Sequence, residues 1–207
     1  MITLIDYKAG NITSVKLAFE HIGIDVKITD KPADILTAER IVFPGVGAAQ
    51  SAMDTLAELK LIDPIAETIK KGTPFLGICI GMQLLLDSSD EDSDTKCMSL
   101  LPGKVKKFTP ADKMCKIPQM GWNTVNFAKS HPLFDGIEDG SEFYFVHSYY
   151  PSCTNPDDII GTTDYADVTF ASTAGRANLA AMQFHPERSG RIGLKILKNF
   201  SSWDGKC

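Results

Sequence analysis

Phe75-Leu76-Gly77-Ile78-Cys79-Ile80-Gly81-Met82-Gln83 joins an apolar run to residues that favour helix, through a cysteine flanked by glycines. Phe75–Ile78 reads as a buried strand, and Met82-Gln83-Leu84-Leu85-Leu86 reads as helix. A strand that turns abruptly into a helix puts its corner residue in a strained conformation, and neighbouring side chains must be absent. Gly77 and Gly81 satisfy that need, so Gly-x-Cys-x-Gly at this place is a nucleophile elbow with sulfur in place of a serine hydroxyl. The helix that follows offers unpaired N–H groups and a positive dipole end, both of which favour thiolate at Cys79. Taken alone, the pattern also fits a cysteine that merely packs in a strand.

Upstream of the elbow, strand and helix alternate. Ile2–Ile5 is a short apolar run, and Asn11 is placed to cap a helix whose apolar face is Val15, Ala18, Phe19 and Ile22. Val26–Thr29 and Ile41–Phe43 read as strands, and 48–59 and 64–71 as helices. Strand–helix alternation implies parallel strands with right-handed crossovers. Downstream the character changes. Segments 105–108, 143–146, 159–162, 168–172 and 179–184 look like strands with short connections, either antiparallel on the same sheet or in a smaller appended one. A last helix over 190–200 is expected to bury Ile192, Ile196, Leu197 and Phe200. The fold class is therefore α/β: a single domain over 1–207 with a central, mostly parallel sheet flanked by helices and extra antiparallel strands in its second half.

The chain has 207 residues, enough to bury a substantial core without staples. Its formal charge of −5 argues against nucleic acid as a partner, because non-specific binding there rests on a cationic field. Phe75–Leu86, the longest apolar run, is broken by Gln83 and falls short of the ~20 residues a membrane span needs. Met1–Gly10 carries Asp6 and starts as a strand, so a secretory leader is not expected, and the reading is cytoplasmic. The five cysteines, Cys79, Cys97, Cys115, Cys153 and Cys207, contain no C-x-x-C pair. Asp87, Asp90, Glu91, Asp92 and Asp94 have no metal-loop spacing and read as a solvated loop, so no metal site is expected.

A thiolate nucleophile needs a base and a group to orient it. Of the four histidines, His21 reads as helix surface and His131 as a structural turn residue. His185 follows a buried strand, and Glu187 is two residues on. In an extended segment those two share a face, so Glu187 can hold the imidazole, with Pro186 stiffening the pair. Cys79, His185 and Glu187 then form a nucleophile–base–orienter triad, although a capped strand end fits His185 and Glu187 equally well. Pro44-Gly45-Val46-Gly47 supplies small residues that let backbone N–H groups approach a developing oxyanion, with the N–H of Ile80 as the other donor. The same four residues also fit an ordinary turn.

These pieces, in this order, resemble the class I (triad) glutamine amidotransferases. Within that class, Asp6-Tyr7-Lys8-Ala9-Gly10-Asn11, Pro118-Gln119-Met120-Gly121-Trp122-Asn123, Tyr144-Phe145-Val146-His147-Ser148-Tyr149 and Gln183-Phe184-His185-Pro186-Glu187-Arg188-Ser189-Gly190 look like the glutaminase subunits of imidazole glycerol phosphate synthase. The resemblance implies hydrolysis of L-glutamine to glutamate and ammonia through a thioester on Cys79, with His185 and Glu187 completing the triad and Val46 and Ile80 forming the oxyanion hole. It implies that Gly47, Gln83, Ser148 and Tyr149 hold the amino-acid head of glutamine, and that no cofactor is used. It implies a heterodimer with a (β/α)8-barrel cyclase that consumes the ammonia in histidine biosynthesis, met by Asn11, Trp122, Tyr144 and Arg188. The alternative it leaves is the same glutaminase chemistry serving a partner that aminates surface sugars. Gln119, Arg188 and Lys8 stand where the family commonly has His, Lys and Gly, and none of the three belongs to the triad.

Overall fold

The computed structural model describes residues 1–8, 11–92 and 94–206. Ala9 and Gly10 of the first motif, and Cys207, lie outside the described residues. The first half alternates as the apolar spacing requires: β1 (Ile2–Ile5), α1 (Ile12–His21), β2 (Val26–Thr29), α2 (Pro32–Leu36), β3 (Ile41–Phe43), α3 (Ala49–Glu58), α4 (Ile62–Lys70), β4 (Phe75–Ile78) and α5 (Ile80–Gln83). Then come β5 (Ser88–Ser89), β6 (Thr95–Lys96), β7 (Gly103–Lys107), β8 (Gln119–Thr124), β9 (Asn126–Phe127), β10 (Glu142–His147) and β11 (Tyr149–Cys153). The chain closes with β12 (Ile159–Tyr165), β13 (Val168–Arg176), β14 (Leu179–Met182) and α6 (Gly190–Ser202).

The main sheet has the order β2-β1-β3-β4-β14-β13-β12-β9. It is parallel from β2 to β14 and antiparallel from β14 to β9. β10 and β8 form a separate antiparallel pair, and β11-β7-β5-β6 a third small sheet. Both arrangements left open for the second half therefore occur. The central strands are buried on both faces: Leu4, Val42, Leu76 and Ile78 pack toward one apolar cluster, and Ile5, Ile41, Phe43 and Phe75 toward the other. Sheet position explains why β1, β3 and β4 read as unbroken apolar runs rather than alternating ones.

Three local expectations are corrected. Leu84–Leu86 do not continue α5, because their carbonyls are captured elsewhere. The Leu84 carbonyl accepts from Met98 N–H at 2.9 Å, that of Leu85 from Leu100 and Leu101, and that of Leu86 from Ser99. Asn11 precedes α1 in a left-handed conformation (φ 73°) and makes no side-chain cap; its amide turns toward Glu187 instead. Ile192 is 36% exposed, and Gly193 takes the inward position expected of it. A Cβ at Gly193 would lie 1.9 Å from the Pro186 carbonyl oxygen, so only glycine lets α6 approach the segment after β14.

That contact yields a prediction. Gly193→Ala lowers the unfolding free energy by about 1–3 kcal/mol through overpacking, whereas Ile192→Ala stays within about 0.5 kcal/mol as a surface change. Urea midpoints of the two variants check it.

Candidate active site

Cys79 stands at the corner between β4 and α5 with φ 55° and ψ −111°. This is a region that residues bearing a Cβ rarely occupy. Its N–H donates to the Met182 carbonyl at 2.8 Å, which extends the β4–β14 pairing to the corner itself. A Cβ at Gly77 would meet the Gly81 carbonyl oxygen at 2.9 Å, and one at Gly81 would meet that of Phe43 at 1.9 Å. The steric reading of the two glycines thus corresponds to real close approaches. The thiol is free and nearly buried.

His185 follows β14 and is buried. Its backbone is held on both sides: its N–H donates to the Tyr144 carbonyl at 2.9 Å, and its carbonyl accepts from the Ser189 hydroxyl at 2.6 Å. Nδ1 lies 2.8 Å from Glu187 Oε1. A carboxylate only accepts, so the proton is on Nδ1 and Nε2 is the nitrogen left for chemistry. Nε2 has no hydrogen-bond partner among the described residues. The pair does not arise from an extended segment as expected. Pro186–Arg188 form a single 3-10 turn, and the turn folds Glu187 back beneath the imidazole. Glu187 Oε1 also accepts from the Asn11 amide at 2.5 Å, so two donors fix the carboxylate.

Burial by itself would push the His185 imidazole down; the Cys79 thiolate and then Glu187 outweigh it and hold His185 up at about 10. The thiolate acts on His185 as a nearby charge, since Nε2 makes no close hydrogen bond to it. His147, on the neighbouring β10, shows the opposite result. Burial pushes it down to about 4, against a Nδ1–H donated to the Tyr149 carbonyl at 2.7 Å, and His185 adds repulsion. Its ring packs against Phe108, Phe145 and Phe170.

A cavity of about 300 Å³ opens over the thiol. Val46, Gly47, Cys79, Ile80, Gln83, Glu91, Val146, His147, Ser148 and Tyr149 line it. The oxyanion and substrate-head candidates therefore surround one space. Gly45, in the turn after β3, cannot carry a side chain: its Cβ would lie 1.8 Å from the Tyr7 hydroxyl and 2.3 Å from Ile80 Cγ2. The Tyr7 ring is buried against Phe43. Gln83 donates to the Tyr149 carbonyl and to Gln183, which donates to Cys79 Sγ.

The acidic segment is not simply a solvated loop. Glu91 is half-buried, accepts from the Ala49 N–H at the start of α3 at 2.8 Å, and is raised by burial. Asp87 accepts from the Gly103 N–H, and Asp90 and Asp94 pair with Lys104. Among the described residues no group of three or more His, Cys, Asp or Glu could hold a metal ion. Glu91, Gln183 and Tyr7 were missed as site residues. Tyr7 and Gln183 lie within quoted motifs but carried no role there, and Glu91 showed only as one charge of an acidic run.

Of the residues expected to meet a partner, Trp122 is 54% exposed and packs edge to face on the half-buried Tyr144, with ring centroids 6.3 Å apart. Met120, 66% exposed, lies across from Val146 in the same β8–β10 register. Together with Val146 they form an apolar strip on the β8–β10 pair, and Val146 also lines the cavity. Arg188 is exposed, whereas Asn11 is half-buried and committed to Glu187. His21 is exposed, and the buried His131 accepts from the Leu133 N–H through its Nδ1, so both match their structural readings.

A cysteine elbow on a parallel sheet, with a His–carboxylate pair just past the end of the adjacent strand, is the arrangement found in triad enzymes of the thiol type. The family model of class-I glutamine amidotransferases matches residues 3–202, and the chain belongs to that family. Among curated relatives, the imidazole glycerol phosphate synthase subunit HisH of Dehalococcoides mccartyi is 46% identical over 97% of this chain and 96% of its own length. The subunit of the same name from Moorella thermoacetica is 45% identical over 96% of this chain and 93% of its own. The solved structure of PurLQS from Thermotoga maritima matches with a TM-score of 0.72 at 20% identity, covering 97% of this chain and 96% of that one. A crystal structure of a glutamine amidotransferase matches at 0.70 and 15% identity, covering 97% and 100%. At those identities the two structures speak to the fold alone.

The charge on His185 can be tested directly. An NMR titration of the intact chain is expected to find its imidazole raised to about 10. In Cys79→Ser, where the thiolate charge is gone, it titrates lower by at least about one unit. Because its folded value lies above the ordinary one, its contribution to stability is present below about pH 6.5 and is lost as pH rises through about 10.

Proposed function

We propose that this chain hydrolyses L-glutamine to glutamate and ammonia at Cys79 and passes the ammonia to the cyclase subunit of an imidazole glycerol phosphate synthase in histidine biosynthesis. One observation carries the reading: a thiol that lines the cavity acts on a charged imidazole held by a buried carboxylate, in a chain 46% identical to a subunit of that synthase. The Cys79 thiolate attacks the carboxamide carbon, and negative charge moves to the carboxamide oxygen. The N–H groups of Val46 and Ile80 receive that charge. His185 gives its proton to the departing nitrogen, the C–N bond breaks, and ammonia leaves a γ-glutamyl thioester behind. Water then attacks the thioester carbon and gives a proton to His185. The C–S bond breaks, releasing glutamate and returning the thiolate–imidazolium pair.

Glu187 holds Nδ1 and stabilises the charged imidazole through each proton transfer. Gly47, Gln83 and the Ser148–Tyr149 backbone hold the amino-acid head, and Glu91 supplies a carboxylate for its ammonium. Every step uses groups of this chain, so the reading calls for no cofactor. The Met120–Trp122–Tyr144–Val146 strip is the surface offered to a (β/α)8-barrel cyclase, with Arg188 at its edge. This reading treats residues 1–207 as one glutamine amidotransferase domain acting in the cytoplasm as half of a heterodimer. No helix among the described residues is long and apolar enough to cross a membrane.

Glutamate release from glutamine, measured with the cyclase and its phosphoribulosyl-formimino substrate present, tests the reading. Cys79→Ala lowers the rate by on the order of 10³-fold or more, and wild-type rates in that variant would falsify it. Trp122→Ala weakens association with the cyclase by about tenfold or more and leaves the unfolding midpoint unchanged. Calorimetric titration against the cyclase provides the affinity.

A further inference from the structure

Two side-chain amides form a buried chain that ends on the nucleophile. Gln83 is 4% exposed and Gln183 0%. What each amide meets fixes its orientation. The Tyr149 carbonyl only accepts, so the Gln83 atom 3.0 Å from it is nitrogen. That same nitrogen lies 2.8 Å from Gln183, whose facing atom must therefore be oxygen. The remaining Gln183 atom, its amide nitrogen, is left 3.6 Å from Cys79 Sγ, within range for a donor to sulfur. A flipped Gln183 would set its nitrogen against the Gln83 nitrogen and its oxygen against the sulfur, losing both interactions.

Such a donor acts differently on the two states of Cys79. Toward a thiol it gives a weak bond, and toward a thiolate a charge-assisted one, so it favours the anion. We propose that Gln183 is a positioning residue that holds the Cys79 thiolate charged and aimed, with its own orientation locked by Gln83 at the substrate cavity. The proposal rests on the reading of Cys79 as the nucleophile. The other titratable groups around Cys79 are His185 after β14, Tyr7 after β1, and Glu91 and His147 across the cavity. Burial keeps Tyr7 and His147 neutral at ordinary pH, and His185 is the cation. Gln183 supplies what those groups do not: a neutral N–H hydrogen-bonded to the sulfur. The chain also couples two events, because a ligand that draws on Gln83 alters the group that orients Gln183.

The test is the pH dependence of Cys79 alkylation by iodoacetamide in the full-length chain, read by peptide mass spectrometry. Cys97 and Cys153, which burial pushes up to about 11, serve as slow internal references. Gln183→Met removes the N–H at nearly constant volume, and Gln183→Asn withdraws it by one methylene. Each moves the acid limb of Cys79 alkylation up by about one pH unit. A folding defect alone changes the unfolding midpoint without moving that limb. If either variant fails to fold, the other decides. A limb at the wild-type position in a folded variant overturns the proposal. Wild-type Cys79 that alkylates no faster than Cys97 and Cys153 overturns the nucleophile reading, and the proposal with it.

Discussion

The structure depends on the corner at Cys79. Its φ of 55° and ψ of −111° persist only because the surroundings leave no other path. The N–H at the corner is tied to Met182, Gly81 presses on the Phe43 carbonyl, and Gly77 faces the Gly81 carbonyl. These contacts reach the two strands that flank β4. β3 ends at Phe43 and continues into the Pro44–Gly47 turn, while β14 ends at Met182 and continues into Gln183 and His185. Cys79, the Pro44–Gly47 turn and His185 therefore leave the carboxyl ends of three adjacent parallel strands, where open α/β sheets bind their ligands.

Two buried imidazoles, His147 lining the cavity and His185 beside Cys79, show how charge is set here. His147 and His185 both lose water, and burial alone would leave both neutral. His147 donates to a neutral carbonyl and ends at about 4. His185 meets a thiolate and a carboxylate and ends at about 10. The difference comes from the charge of the partners, since both rings are buried. His147 thereby gives the cavity an uncharged wall, and His185 keeps its proton. Asn11, donating to the same Glu187 oxygen, helps hold the carboxylate that makes this possible.

What the sequence disclosed was local. Gly77-x-Cys79-x-Gly81, the Pro44–Gly47 turn and the His185–Glu187 pair each lie within five residues, and each could be argued from sterics or side-chain direction. The parallel half of the sheet followed from periodicity. What escaped depends on chain segments meeting across the fold. Leu84–Leu86 look helical until Met98–Leu101 take their carbonyls. Glu91 looks solvated until the Ala49 N–H takes its carboxylate. Gln183 sits in a motif, but its contact with sulfur depends on Gln83, one hundred residues away. Even Glu187 was placed correctly for the wrong local reason, since a 3-10 turn and not an extended strand returns it to His185.

The central claim is that Cys79 is the nucleophile toward a glutamine-shaped substrate. Incubating the chain with a glutamine analogue bearing a diazoketone in place of the carboxamide, followed by peptide mapping, addresses it most directly. The account predicts a single adduct on Cys79, prevented by excess glutamine and absent from Cys79→Ser. An adduct on Cys97, Cys115 or Cys153 with Cys79 unmodified would contradict it.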